Sequence, residues 1–180
     1  MATGTRPHLA HLGIYVWDLD VLEAFYTSVF DLLVTDRGVG PHFGNRLVFL
    51  SGSPDQHHQL VLSSGREDRA ASTIMQLSFK VGSLDALRRT RDSGLRHGAT
   101  GMIALNHGNA WSVYFFDPEG NRIEVYLDTP FHTPQPCGAS LDLDQSDDVI
   151  LSATAQLVQD LAGTMPRKMY VEQMKERLST

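Results

Sequence analysis

The clearest pattern in the chain is a pair of apolar runs separated by a turn. Residues 111–116 and 122–127 are rich in β-branched and aromatic residues, which favour strands. Between them lies the sequence Asp-Pro-Glu-Gly-Asn, in which Pro presets φ and either Gly or Asn accepts a positive φ. The pattern therefore predicts a β-hairpin over residues 109–128.

Before residue 65, patterning of the same kind predicts one helix and four strands. The strands cover residues 9–16, 32–35, 46–50 and 57–62, with a loop at 38–44. Asp18 is a suitable N-cap for a helix after the first strand, because apolar side chains then recur at helical spacing. These are Leu22, Phe25, Tyr26, Val29 and Phe30. The order of elements is therefore βαβββ.

This order repeats later in the chain at an offset of 65 residues. Residues 76–87 can be laid on residues 11–22 without a gap, and the same offset carries the first hairpin onto the second. A repeat of this size indicates two supersecondary units that cannot bury their sheets alone. We therefore expect an α+β fold in which two βαβββ repeats, at about 9–65 and 74–130, form a shared curved sheet around a cleft.

The offset also relates four polar strand positions. His11 corresponds to Gln76, and Gln59 corresponds to Glu124. Histidine nitrogen, carboxylate oxygen and amide oxygen are all possible metal ligands, and a carboxylate in an apolar strand needs a cation or a hydrogen-bond partner if it faces inward. The repeat therefore predicts a metal site. The alternative is a structural role for His11 and solvent-facing positions for the other three side chains.

Composition narrows the classes of partner and location. The formal net charge is −6 at pH 7 and no basic run occurs, so we expect a small-molecule ligand and neither nucleic acid nor a membrane as a partner. With 180 residues, 42% of them hydrophobic, the chain fits one domain with a sizeable core. No stretch approaches 18 apolar residues, and residues 1–7 lack a signal-like apolar segment, which predicts a cytoplasmic protein.

The last fifty residues lie outside the repeats, and we assign 131–180 to a connector and a helical extension. A Pro-rich stretch at 129–138 contains Cys137, the single cysteine, which has no charged neighbours in the sequence and is predicted to be a bystander thiol. Ser146 can cap a helix over 147–161, and Pro166 can begin another. Their inward residues should be Val149, Ile150, Ala153, Leu157 and Leu161, and Met169, Met174 and Leu178. We expect the extension to cap the sheets or to help form a homo-oligomer.

Two motifs at the ends of the repeats resemble a known family. The chain reads His-Leu-Gly-Ile-Tyr-Val-Trp-Asp-Leu-Asp from His11, and Asp-Pro-Glu-Gly-Asn-Arg-Ile-Glu-Val-Tyr from Asp117. With the paired βαβββ units, these motifs resemble the vicinal oxygen chelate superfamily, which includes glyoxalase I, fosfomycin-resistance proteins and extradiol ring-cleaving dioxygenases. The resemblance covers residues 9–130.

Three further features resemble the one-domain type I extradiol dioxygenases. They are Phe-Leu followed by Asp-Gln-His-His-Gln-Leu-Val-Leu at 49–62, His-Gly-Asn-Ala from His107, and Tyr114 placed ten residues before Glu124. The resemblance implies that His11 and Glu124 bind a divalent metal, which is Fe(II) in those dioxygenases. It also implies that His58 is the acid–base histidine, Tyr114 the substrate-binding tyrosine and His107 a further polar group over the substrate.

One metal position departs from the dioxygenase pattern. Gln76 stands where those enzymes have their second metal-binding histidine, so the two-histidine, one-carboxylate triad becomes His, Gln and carboxylate. Glutamine is a ligand type elsewhere in the superfamily, including glyoxalase I and methylmalonyl-CoA epimerase. The resemblance thus still implies a metal at His11, Gln76 and Glu124, with Zn, Mn, Ni or Co as alternatives to iron.

The two neighbouring histidines present a conflict. If Glu124 and its repeat mate Gln59 face the cleft, strict strand alternation puts His57 on that face and His58 on the other. The family match favours His58, and a β-bulge can re-aim one side chain. We therefore assign His58 and keep His57 as the alternative; a third interpretation is that both are surface residues.

Three functions fit these residues. The first is a ring-cleaving dioxygenase that takes a small catecholic substrate and O2. The second is a non-redox glyoxalase-like lyase or isomerase in which the metal acts as a Lewis acid on an enediolate. The third is a protein that sequesters a planar small molecule without chemistry.

Overall fold

The computed structural model describes residues 7–179, so residues 1–6, part of the segment predicted to lack a signal, and Thr180 lie outside the description. One compact unit ends at Ala71 and a second begins at Ser72, so the division falls between the two predicted repeats. The first contains β1 (Leu12–Val16), α1 (Leu19–Phe30), β2 (Leu33–Val39), β3 (Arg46–Ser51) and β4 (Leu60–Ser64).

The second unit repeats this order and then continues. It contains β5 (Leu77–Lys80), α2 (Leu84–Arg96), β6 (Thr100–Asn106), β7 (Ala110–Phe116), β8 (Arg122–Asp128), β9 (Phe131–His132), β10 (Ala139–Ser140), α3 (Asp147–Val158), β11 (Met165–Pro166) and α4 (Arg167–Ser179). The predicted α+β class with two βαβββ units is confirmed. None of the helices between residues 7 and 179 combines the length and apolar character that a membrane span requires.

The two large sheets have the same strand order. The first is β1-β4-β3-β2, with β1 parallel to β4, and the second is β5-β8-β7-β6-β10, with β5 parallel to β8. In each unit one helix and two strands connect the parallel pair, which requires a long connection of this kind. In both units the second strand of the hairpin, β4 or β8, therefore lies beside the first strand of the repeat.

Strand alternation separates an apolar and a polar face in the second sheet. Val113, Phe115, Ile123 and Val125 are buried, and α2, which buries Leu87 among others, packs against β7 and β8. The residues between them point to the opposite face, because successive strand side chains alternate. That face carries Ser112, Tyr114 and Glu124, with Ser78 on the neighbouring β5.

The predicted repeat register is wrong in the last strand of the hairpin. In the first unit Gly13 pairs with Val61, and in the second unit Ser78 pairs with Glu124. Glu124 therefore corresponds to Val61, two residues beyond the predicted mate Gln59. The cause is unequal hairpin connections: nine residues, 51–59, separate the paired Leu50 and Leu60, whereas seven, 116–122, separate the corresponding Phe115 and Ile123. Because the shift is two residues, the face on which Glu124 lies is unchanged.

Strand boundaries also remove the conflict between the two histidines. β4 begins at Leu60 and not at the predicted residue 57, so His57 and His58 precede the strand. Alternation does not apply to them, and the expectation that it places them on opposite faces is wrong. β1 likewise begins at Leu12, one residue after His11, and β2 extends to Val39 through part of the predicted loop.

The extension differs from its predicted apolar pattern. α3 buries Ile150, Thr154 and Val158, which follow one another at four-residue spacing, whereas the predicted Val149 and Leu161 are 50% and 40% exposed. α4 buries none of its residues, and Met169 and Leu178 are more than half exposed. The prediction missed Thr154 because it counted only apolar residues, although a hydroxyl with partners can be buried.

Thr154 anchors α3 to the second sheet through its hydroxyl. Its Oγ1 accepts hydrogen bonds from Asn106 Nδ2 at 2.9 Å and from Trp111 Nε1 at 2.8 Å, and donates to the Ile150 carbonyl at 2.7 Å. All three groups are buried. The contact fixes the helix at the end of β6, next to His107.

We expect Thr154→Val to lower the free energy of unfolding by about 3 kcal/mol, because two buried donors would lose their acceptor while the shape of the side chain is kept. Thr154→Ser is the matched control: it keeps the hydroxyl and should cost about 1 kcal/mol for the missing methyl group. Urea unfolding of the three proteins measures the difference. Equal losses in both variants would show that the methyl group, not the hydroxyl, anchors the helix.

Candidate functional site

Glu124 is the centre of a polar network on the open face of the second sheet. Its Oε1 accepts hydrogen bonds from Ser112 Oγ at 2.9 Å and from Tyr114 Oη at 2.6 Å. Its Oε2 accepts from Gln76 Nε2 at 2.9 Å and from Ser78 Oγ at 2.7 Å. Four donors, two on β7, one on β5 and one in the residue before β5, thus hold one half-buried carboxylate in a fixed position.

Tyr114 links this carboxylate to His107. The tyrosine lies directly opposite Glu124 in the β7–β8 ladder, and its Oη is 2.9 Å from His107 Nε2. The guanidinium of Arg122 lies 4.7 Å from the centroid of the Tyr114 ring and packs over it. The three side chains Glu124, Tyr114 and His107 therefore form a continuous hydrogen-bonded row.

The hydrogens of this row can be assigned from its partners. His107 Nδ1 lies 2.6 Å from the Cys137 carbonyl oxygen, which can only accept, so Nδ1 carries a hydrogen. A phenol has one hydrogen, and the short bond to a carboxylate is the stronger one, so Tyr114 donates to Glu124. The phenol oxygen then has only lone pairs to offer His107, so a hydrogen on Nε2 completes the 2.9 Å bond.

The network shifts the pKa values of its members in opposite directions. Burial, followed by the hydrogen bond to Glu124, raises the pKa of Tyr114 to about 12, so the phenol stays protonated at neutral pH. Burial alone would raise the pKa of Glu124, but hydrogen bonds from Tyr114, Ser78 and Ser112 outweigh it and hold that pKa below its usual value. The row therefore combines a carboxylate with a neutral phenol.

An open pocket of about 250 Å³ lies over this row. Its walls are mostly polar or aromatic and are formed by His107, Asn109, Ala110, Tyr114, Glu124, Tyr126, Asp128 and Gln135. The pocket therefore presents hydrogen-bonding groups and two tyrosine rings to a small ligand.

In the first unit, the histidines predicted from the sequence lie together. The ring centroids of His11 and His58 are 4.3 Å apart, and His57 Nδ1 is 3.0 Å from His58 Nδ1. Phe49 packs against both His57 and His58. Burial, and then the neighbouring His11 and His57, lower the pKa of His58. His57 is exposed, whereas His58 is partly buried between His11 and Phe49.

Gln59 has a structural partner instead of a free side chain. Its Oε1 accepts a hydrogen bond of 3.0 Å from the Gly52 backbone N–H, which closes the turn before β4. Together with the shifted register, this bond gives Gln59 a different role from that of Glu124.

Several members of the network were missed from the sequence. Ser78 and Ser112 lie two residues from Gln76 and Tyr114, so strand alternation could have placed them on the same face. Gln135 and the Cys137 carbonyl had no such signal, because they belong to an irregular connector. The prediction that Cys137 is a bystander concerned its thiol, and its backbone carbonyl is what contacts the site.

The second-unit residues fit a divalent cation as a pair of oxygen donors. Gln76 and Glu124 are adjacent, and turning the amide about its last bond exchanges nitrogen for oxygen beside the carboxylate. The four hydrogen bonds now use all the lone-pair positions of the carboxylate, so a cation would replace some of them. Within residues 7–179 no three His, Cys, Asp or Glu side chains are grouped as a metal site. The predicted ligands His11, Gln76 and Glu124 include an amide, so they would not form a group of that kind.

The fold and this polar row together define a protein with two βαβββ units and an open polar pocket on its second sheet. A family described as the glyoxalase/bleomycin resistance protein/dioxygenase superfamily matches residues 8–125. The chain therefore belongs to this superfamily, and the family expected from the sequence is confirmed.

Among proteins of known activity, two from Rhodococcus globerulus are similar to the chain. They are biphenyl-2,3-diol 1,2-dioxygenases 2 and 3, each 25% identical over 141 residues. The alignments cover 76% and 72% of this chain and 70% and 67% of the two dioxygenases. The relationship to these dioxygenases is therefore distant but spans most of each chain.

Solved structures share the fold. A glyoxylase/bleomycin resistance protein/dioxygenase domain from Frankia has a TM-score of 0.56 at 23% identity, covering 69% of this chain and all of that one. A fosfomycin resistance protein from Mesorhizobium loti has a TM-score of 0.54 at 20% identity, covering 69% and 94%. A variant of the corresponding Listeria monocytogenes protein, solved with Mn(II), has a TM-score of 0.52 at 17% identity, covering 68% and 93%.

Proposed function

We propose that this protein is a metal-dependent dioxygenase that opens catecholic rings. The observation that carries the proposal is the row of Glu124, Tyr114 and His107, the three residues that the dioxygenase resemblance names in this half of the chain. They are joined by hydrogen bonds of 2.6 and 2.9 Å at the floor of one pocket. The similarity to two biphenyl-diol dioxygenases supports the same reaction class.

His11, Gln76 and Glu124 would hold the metal, for which the proposed identity is Fe(II). The Mn(II) in the Listeria relative supports a divalent cation on this fold. When bound, iron supplies the redox and Lewis-acid chemistry that ring opening by O2 requires. The chain contributes an amide oxygen where the dioxygenases have a second imidazole nitrogen, which weakens the expected preference for iron.

The remaining residues bind and orient the substrate. Tyr114 keeps its phenol hydrogen at neutral pH and holds a fixed position between Glu124 and His107, so it can align a catechol oxygen. His107 Nε2 and the polar pocket wall can bind a second oxygen of the ligand. His58 is proposed to move a proton at a substrate oxygen during turnover.

A non-redox lyase or isomerase is the second candidate, and Gln76 is the observation that favours it. An amide oxygen and a carboxylate suit a redox-inert cation at least as well as Fe(II). The structural likeness to fosfomycin resistance proteins shows that the fold is shared with proteins of a different function. Sequestration of a planar molecule is the third candidate, and it requires the pocket alone.

Oxygen uptake distinguishes the dioxygenase from the other two candidates. We expect protein loaded with Fe(II) under anaerobic conditions to consume O2 with at least one member of a catechol panel. Gln76→His should tighten iron binding and preserve or raise this rate, because imidazole nitrogen suits Fe(II) better than an amide oxygen does. Gln173→His, at an exposed position of α4, is the matched control and should change neither quantity. No oxygen uptake by the wild type or by Gln76→His at full iron loading would refute the dioxygenase proposal.

A further inference from the structure

The Pro-rich connector at residues 129–138 lies beyond the part of the chain that matches the family, which ends at residue 125. It nevertheless contributes to the wall of the pocket through Gln135. The family match therefore does not include this segment.

Gln135 joins the connector to the turn that carries His107. Its Nε2 lies 2.9 Å from the His107 carbonyl oxygen, 3.2 Å from Asn109 Oδ1 and 3.3 Å from the Thr133 carbonyl oxygen. Its Oε1 accepts a hydrogen bond of 3.0 Å from the Cys137 backbone N–H. The exposed side-chain amide of Gln135 thus binds the backbone of two residues: His107 itself, and Cys137, which contacts the His107 ring.

Cys137 is the residue whose carbonyl oxygen accepts from His107 Nδ1 at 2.6 Å. Gln135 therefore holds the N–H of Cys137 while His107 donates to the carbonyl of the same residue. Displacing Cys137 would remove the acceptor that requires a hydrogen on Nδ1. The position of this carbonyl consequently helps to fix the ring orientation in which Nε2 faces the Tyr114 oxygen.

The turn that contains Gly108 is held by close contacts with α3 and with the connector. Gly108 has a φ of +73°, and a Cβ there would meet Val158 of α3 at 2.8 Å and Thr133 of the connector at 2.9 Å. Thr129 Oγ1 donates to the Gly108 carbonyl at 2.5 Å. The backbone of the turn is therefore fixed by other contacts as well, so the loss of one surface amide should leave the fold in place.

We propose that Gln135 is a positioning residue for His107, acting through the Cys137 carbonyl to keep Nδ1 protonated and Nε2 directed at Tyr114 and the ligand pocket. The inference deepens the proposed function and rests on it as far as turnover is concerned. It extends the site from the repeats into the connector. The competing interpretation is that Gln135 only closes the connector and leaves the ring unaffected.

The state of the His107 ring tests the proposal without any assay of activity. In protein labelled with 15N-histidine, long-range 1H–15N correlation spectra identify which ring nitrogen carries hydrogen, and His107→Gln assigns the signals. We expect a hydrogen on Nδ1 of His107 in the wild type and partial loss of that hydrogen in Gln135→Leu. Gln135→Ala, which removes both the amide hydrogens and the acceptor oxygen, tests the same point if the leucine variant does not fold. An unchanged His107 ring in the variant would overturn the proposal.

Turnover supplies the second readout. For a catechol that the iron-loaded wild type cleaves, we expect Gln135→Leu to lower kcat about 10-fold or more, the usual cost of losing an outer-shell orienting partner, and to alter the pH profile. Gln173→Leu makes the same replacement at an exposed position of α4 and should keep both. If the wild type cleaves no catechol, the proposed function fails while the ring spectra still decide the role of Gln135. Unchanged kcat and pH profile in Gln135→Leu would contradict positioning even if cleavage is established.

Discussion

Replacing Glu124 with Gln is expected to lower divalent-metal affinity by at least about 100-fold. Loss of a residue that only hydrogen-bonds to a metal ligand already costs about 10–100-fold, and Glu124 is itself a proposed ligand. The amide removes the negative charge and offers only one oxygen, so it cannot accept from the hydroxyls on both sides of the present carboxylate. His11→Ala should have an effect of the same order. Metal titration and metal content after dialysis measure both.

Glu172→Gln is the matched control, because Glu172 is exposed on α4 and pairs only with Lys175 among the contacts described. It should leave metal binding unchanged. Circular dichroism should show native secondary structure in all the variants, so that a loss of metal is not a loss of fold. Full metal content in both Glu124→Gln and His11→Ala would rule out the predicted ligand set.

The second large effect is expected at His58. His58→Ala should retain its metal at saturating concentration and lose about 100-fold or more in turnover, the usual contribution of a positioned acid or base. The side chain is partly buried between the rings of His11 and Phe49, so its orientation is restricted. Steady-state rates with iron-saturated protein measure the effect.

His57→Ala distinguishes the two neighbouring histidines. His57 is the more exposed of the pair and contacts His58 through the Nδ1 atoms, 3.0 Å apart. We expect a smaller loss of turnover from this variant than from His58→Ala. A loss of 100-fold from His57→Ala with none from His58→Ala would transfer the acid–base role to His57.

Local patterns in the sequence were sufficient for the fold class. α1 and α2 begin at Leu19 and Leu84, and β1 and β5 begin at Leu12 and Leu77, so both pairs keep the predicted offset of 65 residues. The hairpin of β7 and β8 also lies where the apolar runs and the Asp-Pro-Glu-Gly-Asn turn place it, with φ of +77° at Gly120. These features depend on side-chain periodicity and turn chemistry within a few residues, which the sequence contains directly.

The sequence also contains the ten-residue spacing of Tyr114 and Glu124, which across a short turn matches their pairing in the antiparallel ladder. It could not give the register of the first hairpin, because a gapless repeat assumes equal connections. The first hairpin has nine residues between its paired strand positions where the second has seven, and the predicted correspondence of Gln59 with Glu124 failed for that reason.

What only the tertiary structure decided is how the connector and α3 meet the second sheet. Cys137 accepts from His107 across 30 positions of sequence, and Thr154 accepts from Asn106 across 48. Such contacts depend on the path of an irregular segment and on which helix face docks, and neither has a periodic signature. The sequence by itself therefore determined the two units and the residues of the polar row, whereas the packing of distant segments determined how His107 is held within it.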